Sequence, residues 1–506
     1  MKRRLDDAFK DARTRLSLIL LAALLVRLAG TASRPIWYDE AFAILFSEKG
    51  LGQMLYGTLA LTGAGSADIH PLGYYTLLWA WMKVFGESLI AARMPSILAG
   101  LAVVFLAYKI SLELFDLKTA ETSALTVALS PFQVHYAQEI RMYAFLALWL
   151  LLATFSYLRG AKSGNWRWWL VFGIASALAQ YTHNLAAFFL IPLAVTPLFR
   201  RDWKTSRSVL TWGLAAILLY LPWLIQLPSQ FAKVDQAYWV AKPGIASLFT
   251  LLIVFTTNTP LPPAWILPGL TLAVSVFVIA LLQTTRTPMG NDKTNGLWTL
   301  YLSFAPPILL FLFSQWTPVY IERALLPSGA FFCIWLAWTF NNTNLHNPMR
   351  GLFSAMLAIA FVTGIYQHAT YRGFPYGPFQ EMTAYLRDNE APGDRIIHSN
   401  KLSMLSAMYF DRDLAQTFIG DPPGSATDTL APATQQVLGI EAEADIKSAV
   451  EGAGRVWYVI YQRSIDEYIQ AGRPTHPDIE YLNSKFVLKS QESWDDLRIL
   501  LYTQDQ

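Results

Sequence analysis

Eleven apolar stretches, each close to the ~20 residues a helix needs to cross a hydrocarbon core, dominate this 506-residue chain. They fall at about 16–32, 89–115, 118–136, 141–159, 167–184, 185–200, 207–227, 264–283, 297–315, 323–340 and 350–368. Segments of this kind leave one architecture open, because backbone groups in lipid must bond within their own helix. The charge content agrees: 15% of residues are charged and the mean hydropathy is +0.32, against about 25% charged in soluble domains. A net charge of +3 gives no reason to expect a nucleic-acid partner. The single cysteine, Cys333, lies in an apolar run, so an intrachain disulfide is excluded. Lys2, Arg3, Arg4, Arg13 and Arg15 precede the first apolar stretch, and Arg34-Pro35 follows it in place of a small-residue cleavage site. It therefore reads as a retained first helix.

Lys and Arg mark the cytoplasmic loops of membrane proteins. With eleven spans, Lys118, Arg159, Lys162, Arg167, Arg200, Arg201, Lys204, Arg207, Arg286, Lys293 and Arg350 all share the side of the basic N-terminus. The other, non-cytoplasmic side receives residues 37–83, 138–141, His183, 226–242, 315–323 and everything after Tyr371. This assignment requires 71–86, which is short and rich in Trp and Tyr, to be an interfacial helix and not a span. The same choice is made for 246–257.

The expected fold class is thus a polytopic α-helical membrane protein with a long first outer loop, followed by a small soluble α/β domain. The division is expected at 1–370 and 371–506. Helical spacing at 379–386 and 402–409, a strand at 395–397, a helix at 440–450, and strands at 456–460, 485–488 and 497–502 support the α/β reading. Asp421 to Ser425 reads as a loop, and no repeat of fixed period is present.

Two acids stand out because carboxylates at a membrane boundary need water, a cation or a substrate. Asp39-Glu40, behind Trp37-Tyr38, follows the first span; Glu139 follows the third. One carboxylate in such a place can take a proton from an attacking hydroxyl, or can simply favour the N-terminus of an interfacial helix. His70, before Pro71 and Tyr74, is a candidate substrate contact or a helix cap. Gln138, Glu139, Arg141 and Tyr143 form a polar cluster where a span emerges, open to a catalytic or an ion-pair reading. Lys83, Arg93, Arg141 and Arg323 are cations on the outer face, matched by a phosphate or by ordinary lipid headgroups. His183 lies between two spans on the same face.

In order, Trp37-Tyr38-Asp39-Glu40-Ala41, His70-Pro71-Leu72 with Tyr74-Tyr75, Lys83 with Phe85-Gly86-Glu87-Ser88, Ala92-Arg93-Met94-Pro95-Ser96, Ser130-Pro131 with Gln138-Glu139, Arg141-Met142-Tyr143, Tyr181-Thr182-His183 and Arg323 with Leu325-Leu326-Pro327 resemble the family-39-type glycosyltransferases of the GT-C fold. Their relatives are protein O-mannosyltransferases and aminoarabinose transferases. The resemblance covers about residues 10–340. It departs at His70, followed by one proline where the family often has two, and in the C-terminal domain, which differs from the luminal domain of eukaryotic O-mannosyltransferases.

The resemblance implies a glycosyltransferase that moves a hexosyl or pentosyl group, with inversion, from a polyprenyl-phosphate donor to an acceptor hydroxyl. The acceptor, a protein, lipid or glycan, is left open, and the setting implied is the bacterial plasma membrane. Asp39 matches the first-loop acid, the expected base, and Glu139 the second-loop acid that orients a substrate. Arg323 resembles the phosphate-holding arginine, helped by Arg93 or Arg141. Glu40, His70, Tyr74, Lys83, Gln138, Tyr143 and His183 complete the expected substrate-binding set. Some relatives bind a metal near the second-loop acid; no ligand set with diagnostic spacing is present here, so none is assigned and a divalent ion stays open. Other readings are an oligosaccharide ligase, a transporter or flippase of lipid-linked substrates, and a non-catalytic scaffold. Transporters tend to show repeated halves and mid-bilayer charges, and this chain shows neither.

Overall fold

A computed structural model describes residues 2–62, 65–236, 240–421 and 429–504. The expected loop at 421–425 lies outside the described residues beyond Asp421. Every apolar stretch is helical. Among the described residues, seven helices are long and apolar enough to cross a membrane: Leu89–Leu114, Tyr143–Ser163, Trp203–Leu224, Pro263–Arg286, Asn291–Phe313, Glu322–Asn342 and Asn347–Thr370. The other four expected spans are helices of a different kind. Lys2–Leu28 begins with charged residues, Trp166–Thr182 has 17 residues, and Ala187–Phe199 has 13. The stretch 118–136 is divided into Leu117–Leu129 and Pro131–Ala137.

That division has a local cause. Pro131 has no N–H and turns the preceding residue out of the helical region; Ser130 sits at φ −60°, ψ 121°. The carbonyls freed there are met by Arg27 of the first helix, whose guanidinium donates to Ala128 O at 2.9 Å and Val127 O at 3.4 Å. The favour is returned: the Gln138 side-chain amide donates to the terminal carbonyls of the first helix, Arg27 O and Ala29 O, both at 2.9 Å. The break thus places the bend at 138–142 against the end of the first helix.

The expected interfacial segments are short helices, Gly73–Phe85 of 13 residues and Ala246–Thr256 of 11. At 1.5 Å per residue neither reaches across a core about 30 Å thick. Charges separate between the two ends of the bundle. At one, Glu113 accepts from Arg159 at 2.7 Å and Lys162 at 3.0 Å, and Glu121 accepts from Arg15 at 2.9 Å. The acid-bearing loops gather at the other.

Beyond the last apolar helix the chain builds a six-stranded sheet. Its order is Ala442–Glu443, Gln416–Ile419, Arg395–His398, Arg455–Tyr461, Leu497–Thr503, Val487–Trp494. The first four strands are parallel and the last two antiparallel additions. The strands Gln416–Ile419 and Ala442–Glu443 were not expected; both are too short for an alternating pattern to register. The second replaces the start of the helix expected at 440–450, which shrinks to Ile446–Ala449. The strand expected at 485–488 instead begins at Val487 and runs to Trp494. This sheet unit rests on the segment that follows the first helix: Arg412 pairs with Glu48 at 2.8 Å, and Thr434 Oγ1 donates to Gly57 O at 2.8 Å.

The last apolar helix is held against the broken one at Gly364, where an added Cβ would lie 2.1 Å from Thr257 O and 2.6 Å from Pro131 Cγ. Gly364→Ala is therefore expected to destabilise the detergent-purified protein by about 1–3 kcal/mol, as overpacking does. Gly351→Ala on the same helix meets nothing within 4 Å and should leave the thermal midpoint unchanged or slightly higher.

Candidate active site

Glu40 and Arg93 organise the acid-bearing end. Both side chains are fully enclosed, with Arg93 donating to the two carboxylate oxygens at 3.0 and 2.8 Å. The Glu40 carboxylate also accepts the Ile140 N–H at 3.1 Å. Arg93 uses its remaining donors on Thr31 O at 2.6 Å and Arg34 O at 3.0 Å. Expected as substrate contacts, these two residues are instead satisfied by each other and by backbone.

Asp39 lies one position earlier in the same helix, Tyr38–Ser47, whose N-terminus favours an acid. Its Oδ2 lies 2.9 Å from Arg323 Nη1 and 3.6 Å from Arg141 Nε. Arg323 comes from the 3₁₀ turn Glu322–Leu325 that starts a late apolar helix, and Arg141 from the bend after Glu139. The Arg323 guanidinium lies over the rings of Trp37, at 5.7 Å, and Tyr143, at 5.2 Å. Arg141 Nη1 donates to Tyr75 Oη at 3.3 Å. Next to Tyr143 lies the His183 ring, 5.9 Å away, and His183 in turn meets His70 edge-on at 5.9 Å. His70 Nδ1 is 2.9 Å from Asp68 Oδ1. Burial, with the fields of His70, Arg141 and Arg323, pushes the His183 imidazole well below its usual range.

Glu139 forms a second centre. Its Oε1 is 3.0 Å from His135 Nε2, 3.3 Å from Tyr376 Oη and 3.6 Å from Arg34 Nη2. The same His135 Nε2 lies 3.1 Å from Arg34 Nη2, and the other ring nitrogen, Nδ1, is 2.8 Å from Asn258 Nδ2. Burial alone would raise the Glu139 carboxyl, but the His135 hydrogen bond and the charge of Arg34 and Arg323 hold it down at about 2. Glu139 Oε2, His183 Nε2 and Trp37 Nε1 are buried without a hydrogen-bond partner among the described residues. Buried polar atoms left this way are costly in a purely structural role. Arg34 and His135 already give Glu139 the cation and donor it needs, so the residues here do not fit a metal at that acid. No group of three or more His, Cys, Asp or Glu among the described residues is arranged to hold one.

Of the residues singled out from sequence, Asp39, Arg141, Tyr143, His183, His70 and Arg323 are thus brought to one wall and Glu139 to its neighbour. Others lie apart. Lys83 is exposed in the last turn of its helix, nine residues or about 13 Å along the axis from Tyr74. Tyr74 is buried against Phe145, and its neighbour Tyr75 is the one that meets Arg141. The Gln138 amide is occupied by the first helix, and its Oε1 lies 2.6 Å from His368 Nε2. Sequence reasoning missed Arg34, His135, His368 and Tyr376. Only His135 left a signal, four residues before Glu139 on a helical turn.

The fold is GT-C: a bundle of apolar helices with its acids on the loops at one end and an α/β unit packed over them. In particular, the chain is similar to the crystal structure of ArnT from Cupriavidus metallidurans in the apo state, with a TM-score of 0.64 over 97% of this chain and 98% of that one, at 12% identity. The same protein bound to undecaprenyl phosphate gives 0.63 over 96% and 97%, at 13% identity. Residues 69–226 match the family model of dolichyl-phosphate-mannose-protein mannosyltransferases. The chain is also 28% identical over 242 residues to a putative mannosyltransferase, YycA, of Bacillus subtilis, covering 46% of this chain and 33% of that protein. It is 29% identical over 185 residues to the undecaprenyl phosphate-alpha-4-amino-4-deoxy-L-arabinose arabinosyl transferase of Pseudomonas aeruginosa, covering 33% of this chain and 32% of that protein. The matched part thus spans about a third of the length of these curated relatives.

Two variants test the electrostatics. Glu40→Gln leaves the enclosed Arg93 unbalanced and is expected to cost about 3–5 kcal/mol, read as loss of folded protein in size-exclusion chromatography; Asp39→Asn, at a partly open position, should still be recovered folded. The depressed Glu139 carboxyl contributes stability present above its unfolded value near 4.5 and lost as pH falls toward about 2. Wild type should therefore lose thermal stability between about pH 4.5 and 2 more steeply than Glu139→Gln, measured by melting at pH 3 and pH 6 in the same detergent.

Proposed function

We propose that this protein is a membrane glycosyltransferase that moves one sugar from a polyprenyl-phosphate donor to an acceptor hydroxyl, with inversion at the anomeric carbon. The observation that carries the reading is Asp39 held between Arg323 and Arg141 beside the aromatic faces of Trp37 and Tyr143. A base, a pair of cations and stacking rings within one enclosure are what this chemistry needs. The similarity to an ArnT structure bound to undecaprenyl phosphate and to mannosyl and arabinosyl transferases supports the same reading.

In the proposed reaction the acceptor oxygen attacks the anomeric carbon while Asp39 takes its proton. The bond from that carbon to the phosphate oxygen breaks, and its electron pair leaves on the phosphate. Arg323 and Arg141 meet the charge that develops there, where enclosure makes each contact count for more. Arg323 must then exchange its contact with Asp39 for one with the phosphate, which frees the carboxylate oxygen that receives the proton. Glu139, ionised and with Oε2 unpartnered, orients a hydroxyl, and His183, held neutral, offers Nε2 to the sugar or phosphate. Residues 1–370 form the catalytic part and 371–506 an α/β unit on the non-cytoplasmic side, with the N-terminus cytoplasmic. The acceptor is a hydroxyl-bearing protein, lipid or glycan of the cell envelope.

The test is turnover in purified membranes with a panel of polyprenyl-phosphate sugars, reading released polyprenyl phosphate by mass spectrometry. Asp39→Asn is expected to lower turnover at least about 100-fold, the usual scale for a general base, while still binding donor. Arg323→Lys should raise the donor KM as well as lower turnover, since lysine lacks the bidentate fork. Wild type that binds a lipid-linked sugar yet releases no polyprenyl phosphate, even with a cell-extract pool of acceptors, would favour transport or a scaffold.

A further inference from the structure

Between the last apolar helix and the α/β unit the chain makes a short turn, residues 371–378, that dips back into the acid-bearing end. Its Tyr376 is 6% exposed. The ring lies under the Arg34 guanidinium, 4.7 Å from its centroid, and 6.1 Å from the Trp37 ring. Arg34 Nη2 donates to Tyr376 Oη, and Tyr376 Oη is 3.3 Å from Glu139 Oε1. A guanidinium has no acceptor and an ionised carboxylate has no donor. The hydroxyl proton can therefore point only at Glu139, giving a one-way chain from Arg34 through Tyr376 to the carboxylate. Burial keeps that phenol protonated, raising it well above its ordinary range against the pull of Arg34.

The turn is fixed from the other side by the sheet. Tyr461, at the end of the strand Arg455–Tyr461, donates its hydroxyl to Pro375 O at 3.2 Å, and its ring meets Phe374 edge-on at 5.1 Å. Arg463 lies over the Phe374 ring at 4.9 Å, and the Tyr376 N–H closes the turn on Gly373 O at 3.1 Å. The path from the sheet to Glu139 is thus two hydrogen bonds joined by the Pro375-Tyr376 peptide link.

We infer that Tyr376 is a positioning residue for Glu139, so that the segment entering the α/β unit completes the site. Its hydroxyl fixes one carboxylate oxygen, leaving Oε2, which has no hydrogen-bond partner among the described residues, aimed for a substrate hydroxyl. The catalytic meaning of the link rests on the transferase reading above; the link itself does not.

Two readouts test it. Hydrogen exchange of the 371–379 segment in detergent is expected to speed up in Glu139→Ala, whether or not the protein turns over any donor. In steady-state kinetics, Tyr376→Phe keeps the ring and should lower kcat about tenfold with donor KM within about twofold, the pattern of an interaction used in the transition state. Tyr376→Ala should be worse, and Tyr461→Phe should show a smaller loss of the same kind. Combining Tyr376→Phe with Glu139→Gln should be no slower than Glu139→Gln alone, because both act through one carboxylate. Unchanged exchange, or losses that multiply in the double variant, overturns the inference. Absence of turnover in wild type counts against the transferase reading alone, and the exchange result still decides the link.

Discussion

The Arg93–Glu40 pair is the contact on which the rest of the acid-bearing end depends. One guanidinium gathers the carbonyls of Thr31 and Arg34, and its carboxylate partner takes the amide of Ile140. Four segments are thereby fixed to one point: the exit of the first helix, the start of Tyr38–Ser47 shortly after it, and, far along the chain, the start of Leu89–Leu114 and the bend at 138–142. An enclosed charge pair adds little net stability over an apolar substitute, but it is expensive to leave half made. That asymmetry gives it registry value. With Glu40 locked inward, its neighbour Asp39 is turned to the cations, and with Ile140 anchored, Glu139 and Arg141 fall on either side of the same bend.

The two carboxylates then meet different surroundings. Asp39 has two arginines, one of them lying over the Trp37 and Tyr143 rings, and a partly open side chain. Glu139 has a neutral histidine, a phenol and a more distant arginine, and one oxygen left over. Pairs of acids with divergent environments divide labour in many enzymes, and the proposed roles follow that division. The charge that each needs is supplied from helix ends and loops, and none comes from the middle of an apolar segment.

The eleven apolar runs and the gathering of both acids at one end were legible because hydropathy and loop charge act over long windows. The helix count was less so: a proline at 131 divides one run, and two others are shorter than a span. Asp39, Arg141 and Arg323 could be grouped from motif order alone. Glu40 and Arg93 were placed with them since a charged residue in a motif looks the same in sequence whether it faces a substrate or a partner. Lys83 was included for its charge, and only the helix geometry turns it outward. Arg34, His368 and Tyr376 were invisible: His368 reaches Gln138 and Tyr376 reaches Glu139 across more than two hundred residues of chain. The short parallel strands at 416–419 and 442–443 were missed for want of an alternating pattern.

The most direct measurement is a structure of the purified protein with undecaprenyl phosphate, resolved well enough to place the phosphorus atom. The account predicts the phosphate within hydrogen-bond reach of Arg323 and Arg141, with the Arg323–Asp39 contact opened and the Arg93–Glu40 pair unchanged. A phosphate bound elsewhere, with Asp39 still paired to Arg323, would contradict it.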